Sequence, residues 1–326
     1  MKRNNDNRNS WGETAETIFY LLLPFLCVAS LFRGCSARSA EIADSGQQTS
    51  FEQEHMRTDS EDSEGADHAE DAEDAEPDES GGGEDYYEDE EPVRENMYDP
   101  DKFSYVSEDS ENITYLDDNY EVLQGIDVSE HQAEIDWQAV ADAGYKFVFV
   151  RLGFRGYGEE GTLNEDTRAI EYLRDAKEAG LLVGAYFFSQ ALNEEEAAEE
   201  ARFAAEIVKK SGIRLDLPLV YDPETAGGSA GRANNLSSEQ VSRNAAAFRD
   251  AAESELKCKT AIYANLYWEN NYFENKTLND FEIWYAGYEI PPATPYHFTW
   301  WQYSETGSVP GIKGAMDLNL WIRQTD

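Results

Sequence analysis

Three cysteines in 326 residues, Cys27, Cys35 and Cys258, put only one in the part of the chain rich enough in apolar residues to fold. That rules out a disulfide framework or a four-ligand zinc site there. Basic residues are scarce too: 26 Lys and Arg stand against 67 Asp and Glu, for a formal net charge of −41. Such a chain is repelled by nucleic-acid phosphates and has no basic stripe to relieve the repulsion, so no nucleic-acid partner is expected. A Gly-rich phosphate loop is also missing after the first apolar run, which argues against a dinucleotide-binding sheet.

What charge there is falls unevenly: about +2 over residues 1–40, about −28 over 41–122 and about −15 over the remainder. The start reads Lys2-Arg3 and Arg8, then an uncharged run from Thr17 to Phe32, then Arg33. Basic, apolar, polar is the order of an export segment. The run is short for a bilayer span and long for a signal core, so residues 1–40 stand as either a cleaved signal peptide or a signal-anchor. Cys35-Ser36-Ala37 would suit signal peptidase. Residues 41–122 carry about 31 acidic and 3 basic side chains, with repeats such as Glu-Asp-Ala-Glu-Asp-Ala-Glu and the Gly81-Gly82-Gly83 break. Composition assigns them to a disordered acidic linker, extended by its own repulsion. The tyrosines at 86, 87, 98, 105, 115 and 120 become more frequent toward the next region and are candidates to dock on it.

From Leu123 to Asp326 short apolar runs alternate with amphipathic stretches. The runs are 125–128, 147–150, 182–188, 219–221, 260–263, 283–285 and 299–301, with a last one around Asp317; continuous apolar runs suit strands covered on both faces. Helices are expected over 136–143, 164–179, 193–211 and 237–255, with Gly144, Gly180 and Gly212 where they should stop and Asn193 and Ser237 as caps. The alternation points to an α/β fold with a parallel sheet closed into an irregular, TIM-like (β/α) barrel. Only four helices are clear and the later loops are short, so some outer helices should be missing. An open doubly wound sheet is the alternative.

In such barrels chemistry sits at the carboxyl ends of strands. That rule selects Asp127 on the first strand, Asp222 and Glu224 after the fourth and Asp317 on the last. A carboxylate beside a sheet interior costs several kcal/mol, on the order of the burial penalty for an unpaired charge, unless a cleft solvates it or a partner holds it. Residues two apart in an extended segment share a face, so Asp222 and Glu224 would share one pocket. Mutual repulsion then raises one pKa, leaving a protonated acid beside an ionised neighbour, the division of labour that glycoside hydrolysis uses. Taken alone, an Asp-x-Glu reads more readily as a helix cap. Aromatics near the same strand ends, including Tyr186, Trp284 and Tyr285, suit sugar stacking and suit a barrel core as well. Arg151 is a salt-bridge partner for the carboxylates or a substrate contact, and Gln302 binds substrate or a strand neighbour.

Gly125-Ile126-Asp127-Val128-Ser129, His131-Gln132 and Ile135-Asp136-Trp137 resemble the opening of the glycoside hydrolase family 25 lysozymes, the Chalaropsis-type N-acetylmuramidases. Phe149-Val150-Arg151, Gly184-Ala185-Tyr186-Phe187-Phe188, Asp222-Pro223-Glu224, Ile283-Trp284-Tyr285-Ala286 and Trp301-Gln302-Tyr303 through Asp317-Leu318-Asn319 are similar to later blocks in the same order, over about residues 123–322. The resemblance implies a barrel domain at 123–326 that cleaves the β-1,4 bond between N-acetylmuramic acid and N-acetylglucosamine in peptidoglycan, as a monomer with no metal or organic cofactor. It implies Glu224 as general acid, Asp222 assisting the substrate's acetamido group or the oxocarbenium-like state, and Asp127 and Asp317 tuning them. Substrate contacts would come from Tyr186, Arg151, Trp284, Tyr285 and Gln302. Pro223 departs from the bulkier apolar residue of the pattern, and Gly227-Gly228-Ser229-Ala230-Gly231 makes an unusually flexible loop. With an export segment, the implied location is extracellular or at the cell surface, membrane-tethered by residues 17–32 or secreted. A silent wall-binding module and an enzyme acting on chitin-like chains are the competing readings.

Overall fold

The protein is described by a computed structural model over residues 92–228 and 231–325. The expected export segment and the acidic run up to residue 91 lie outside the described residues. Among the described residues no helix is long and apolar enough to cross a membrane.

Seven strands run parallel around a barrel: β3 (Tyr120–Val128), β4 (Phe147–Arg155), β6 (Leu182–Ser189), β7 (Leu219–Pro223), β8 (Thr260–Asn265), β9 (Glu282–Ala286) and β10 (Trp300–Gly307). An eighth, β11 (Met316–Gln324), lies antiparallel between β10 and β3 and closes the ring, while β3 also pairs with β4. The all-parallel expectation fails at β11 for a reason of length. Only residues 308–315 connect it to β10, and a parallel crossover needs a dozen or more.

Helices cover the outside: α1 (Trp137–Asp142), α2 (Ala169–Glu178), α3 (Glu194–Ser211) and α4 (Ser238–Leu256), followed by two single-turn pieces, α5 (Leu266–Asn271) and α6 (Asn275–Asp280). Asn193 and Ser237 accept hydrogen bonds from the amides of Glu196 and Gln240, as caps should. The expected helix at 164–179 starts five residues late. Leu163–Glu165 instead forms β5, an antiparallel edge on the extension of β4 beyond Arg151, and the helix can begin only after that edge is covered. Some outer helices are missing, as expected: β9 is followed directly by β10.

Alternation along the strands divides the core in two. Outward residues pack under the helices; inward ones, Phe147, Phe149, Val220, Trp284 and Trp300, fill the barrel. Trp300 and Trp301 face opposite sides as adjacent strand residues must, and both are buried. The Phe149 and Trp284 rings stack with centroids 4.6 Å apart. Space for the phenylalanines comes from glycine: a Cβ on Gly125 would lie 2.3 Å from the Phe147 ring, and one on Gly184 2.5 Å from that of Phe149.

The packed region begins upstream of Leu123. A strap comprising residues 92–119, with a small hairpin of β1 (Phe103–Tyr105) and β2 (Ile113–Tyr115), lies on the barrel wall. Tyr98 is buried against Tyr115, Tyr120 and Phe298, and its hydroxyl donates to the Phe298 carbonyl oxygen at 3.0 Å. Phe103 meets the Trp301 ring edge-on at 5.4 Å, and Gln124 Nε2 donates to the Ile113 carbonyl oxygen at 2.6 Å. Composition groups this stretch with the acidic linker, but a few aromatic rings suffice to hold it, since each buried one contributes roughly 1.5–3 kcal/mol. Of the candidate tyrosines, 98 and 115 are buried, 120 is half-buried and 105 stays exposed, while 86 and 87 lie outside the described residues.

Tyr98→Ala should therefore cost about 3 kcal/mol, the usual scale for removing a buried aromatic ring. That corresponds to a fall in melting temperature on the order of 5–10 °C, whereas Tyr105→Ala should change it by less than about 1–2 °C, as exposed substitutions do. Thermal unfolding followed by circular dichroism checks both; equal small effects would mean that the strap is not part of the folding unit.

Candidate active site

Asp127 is the next-to-last residue of β3 and Asp222 the next-to-last of β7, so both reach the carboxyl-terminal mouth of the barrel. Glu224 follows immediately after β7. Because β11 runs in the opposite direction, its first residues lie at this same mouth, and Asp317 sits directly across from Asp127 in the antiparallel register. One antiparallel strand thus brings a fourth carboxyl to the others.

These acids hold one another through protons rather than cations. Among the described residues no Lys or Arg forms an ion pair with any of the four. Asp317 donates a hydrogen bond to Asp127; burial, then the charge of Asp127, pushes the Asp317 pKa up to about 9. Asp127 also accepts from Gln302 Nε2 at 2.9 Å and Asn319 Nδ2 at 2.7 Å. Burial pushes its pKa up, against these three hydrogen bonds, which favour the ionised form. Asp222 is raised well above the ordinary carboxylate range. Burial is the first cause, followed by the charges of Glu224 and Asp127, and it donates to the carboxylate of Glu224. Glu224 is raised as well, chiefly by burial, with the bond from Asp222 opposing. In each pair, Asp222 with Glu224 and Asp317 with Asp127, burial and the neighbouring carboxylate favour a retained proton on Asp222 and on Asp317. One oxygen of Asp222, Oδ1, is buried without a partner.

Tyr186, on β6, faces the same space, its ring edge-on to Trp284 at 5.8 Å; burial and the charge of Asp127 raise its hydroxyl pKa well above the usual. Gln302 is a bridge: besides binding Asp127, its Oε1 accepts from the hydroxyls of Tyr263 at 2.9 Å and Tyr288 at 3.4 Å. Trp284 lies beneath the acids with 1% of its surface exposed, one face against Phe149 and its Nε1 donating to Asn319 Oδ1 at 2.7 Å. It supports Asn319, which supports Asp127. Arg151 is spoken for by other carboxylates, Asp166 at 2.8 Å and Glu130 at 3.4 Å; its charge reaches Asp222 only through space. Tyr285 turns outward to Phe298, yet lines the cleft beside Glu224.

That cleft has a volume of about 420 Å³ and is walled by Glu224, Tyr263, Tyr267, Tyr285 and Tyr288. Tyr267 and Tyr288 are exposed, the state expected of rings waiting to stack on a ligand. A larger cavity, about 620 Å³, opens at the other mouth near Tyr98, Trp300 and Trp321. Two of its three acids are engaged, Asp216 with Lys177 and Glu282 with Thr299, and the third, Glu95, is an exposed residue of the strap, so the buried carboxyl cluster belongs to the smaller cleft. Sequence reasoning did not single out Tyr288 or Gln190, which carry no motif signal. Asn319 and Tyr263 stood in quoted motifs and strand ends without being chosen. Ser229 and Ala230, in the glycine-rich stretch 227–231, lie outside the described residues.

A closed barrel whose carboxyl-terminal mouth gathers proton-sharing carboxyls and aromatic walls has the layout of a barrel enzyme built for acid–base chemistry on an aromatic-stacking ligand. Residues 126–312 match the model of the glycosyl hydrolases family 25, and the chain belongs to that family. It is 30% identical over 199 residues to the autolytic lysozyme of Clostridium acetobutylicum, covering 60% of this chain and 55% of that one. It is also 30% identical over 203 residues to lysozyme M1 of Streptomyces globisporus, covering 60% and 67%. The fold is similar to that of the modular autolysin LytC from Streptococcus pneumoniae, solved with a synthetic peptidoglycan ligand, at a TM-score of 0.55 and 24% identity over 62% of this chain and 47% of that one. The chain thus spans about half the length of the autolytic lysozyme and of the autolysin.

A carboxyl whose pKa is raised on folding holds its proton more tightly in the folded than in the unfolded chain. Its contribution to stability is full below the range of a free Asp, about 4, and is lost as pH rises toward the folded value, about 9 for Asp317. The melting temperature of wild type minus that of Asp317→Asn should therefore fall steadily across that window. A flat difference would mean that Asp317 is not protonated in the folded chain.

Proposed function

We propose that this protein is a peptidoglycan hydrolase, an N-acetylmuramidase that cleaves the β-1,4 bond between N-acetylmuramic acid and N-acetylglucosamine. The observation that carries this reading is the buried carboxyl pair of Asp222 and Glu224, both with raised pKa values, at an aromatic-walled cleft. In this reading the pair retains a proton, which lies toward Asp222 before substrate binds. A glycan that covers Glu224 strips it of its remaining water and raises its pKa further, so the proton passes to Glu224, the side that meets the glycosidic oxygen. Glu224 then protonates the leaving oxygen as the bond to the anomeric carbon breaks. Asp222, now ionised, orients the acetamido group of the sugar or stabilises the positive charge that develops on its ring. Asp127 and Asp317 keep the local charge low enough for that exchange. Tyr186, Tyr263, Tyr267 and Tyr288 are the sugar contacts in this reading, and it calls for no cofactor.

Residues 17–32 serve as export signal or membrane anchor in the same proposal, and the acidic residues up to 91 as a charged spacer that carries the barrel toward the wall. The enzyme works outside the membrane, as an extracellular or cell-surface protein.

Release of reducing ends and loss of turbidity from purified cell walls, measured with the full chain, test the reading. Glu224→Gln should lower kcat by about 10²- to 10⁴-fold, the range of a general acid, and Asp222→Asn by at least about tenfold. Because the acid form is required, activity should decline as pH rises through the raised pKa of the pair. Variants that clear walls as fast as wild type would overturn the assignment.

A further inference from the structure

The chemistry proposed above depends on where Glu224 holds its carboxyl, yet Glu224 lies one residue past β7 and has no strand register of its own. Its main chain is tied from behind instead. Gln190, the residue after β6, is fully buried, and its Nε2 donates to the carbonyl oxygen of Glu224 at 2.6 Å and to that of Ser189 at 2.9 Å. The Gln190 peptide is clamped on both sides. Its N–H donates to Glu200 Oε1 at 3.3 Å, and its carbonyl oxygen accepts from Arg232 Nη1 at 3.2 Å. Glu200, buried on α3, also accepts from Ser189 Oγ at 2.6 Å and from Arg155 Nε at 2.8 Å. Arg155 and Arg232 are anchored in turn on Glu199 and Glu196 of the same helix.

Only one orientation of the Gln190 amide satisfies its neighbours. The two carbonyls it meets both need donors, so the NH₂ group must face them. Oε1 is then left buried without a partner. An unpaired buried oxygen is a standing cost that an apolar side chain of the same length would avoid. The residue is tolerated where a donor to Glu224 is worth more than that cost. We propose that Gln190, held in place by Glu200, is the positioning residue that sets the Glu224 carboxyl against Asp222 for catalysis; this rests on the hydrolase reading above.

Gln190→Met keeps the length of the side chain and removes the donor. In the full chain, rates of reducing-end release over a range of wall concentrations should give a kcat about 10- to 100-fold below wild type, with KM within about twofold, because an acid displaced by about 1 Å loses rate rather than affinity. Glu200→Gln can still accept from Arg155 and from the Gln190 amide while donating to Ser189, and should retain kcat within about threefold of wild type. Glu200→Leu should fall with Gln190→Met. Melting curves ensure that rates are compared on folded protein; should Gln190→Met not fold, the two Glu200 variants carry the comparison. A wild-type kcat in folded Gln190→Met, or equal rates for Glu200→Gln and Glu200→Leu, overturns the proposal while leaving the hydrolase reading intact. Wild type no faster than Glu224→Gln would overturn that reading, and this proposal with it.

Discussion

Four carboxyls at one barrel mouth repel one another, and burial penalises each charge they carry. This constraint shapes everything around them. A cation at the centre would relieve it but would also depress the pKa values that acid catalysis needs to keep high. The fold uses shared protons and neutral donors instead, with Gln302 and Asn319 on Asp127. Arg151, the strongest nearby positive charge, is kept on Asp166 and Glu130, close enough to moderate the site without neutralising it.

The neutral donors must be rigid, because an amide that wanders leaves a buried carboxylate bare. Asn319 is fixed by the indole N–H of Trp284, and Trp284 by its stack on Phe149. Gln302 is fixed by the Tyr263 hydroxyl. The packed barrel interior is therefore the mechanical base of the site, and the glycines at 125 and 184, which admit the Phe147 and Phe149 rings, belong to that base. Closure by β11 performs two tasks at once: it completes the ring without an edge, and by reversing direction it delivers Asp317 and Asn319 to the mouth.

Much of this was legible in advance. Continuous apolar runs marked the barrel strands because strands covered on both faces have no polar side to show. Asp127, Asp222, Glu224 and Asp317 stood out because each interrupts or abuts such a run. The direction of β11 was not legible from apolar content, which is the same for either orientation. Nor was the packing of residues 92–119, whose acidic composition hides a few rings that reach the barrel only once it exists. Trp284, read as a sugar contact or as barrel core, lies beneath the acids, and Arg151, read as a salt-bridge partner or a substrate contact, pairs with Asp166 and Glu130 beside them. Residue type suits an aromatic or a cation equally to a ligand or to a neighbour, and only the fold supplies the neighbour.

The sequence by itself determined the family, the order of the strands and the acids at their ends, since these are local patterns written in contiguous residues. What only the tertiary structure decided is which groups hold those acids and where their protons lie. Gln302 and Asn319 stand 175 and 192 residues from Asp127 in the chain, and Gln190 stands 34 from Glu224. Hydrogen bonding and burial act through distances of a few ångströms, and no spacing along the chain encodes them until the barrel has closed.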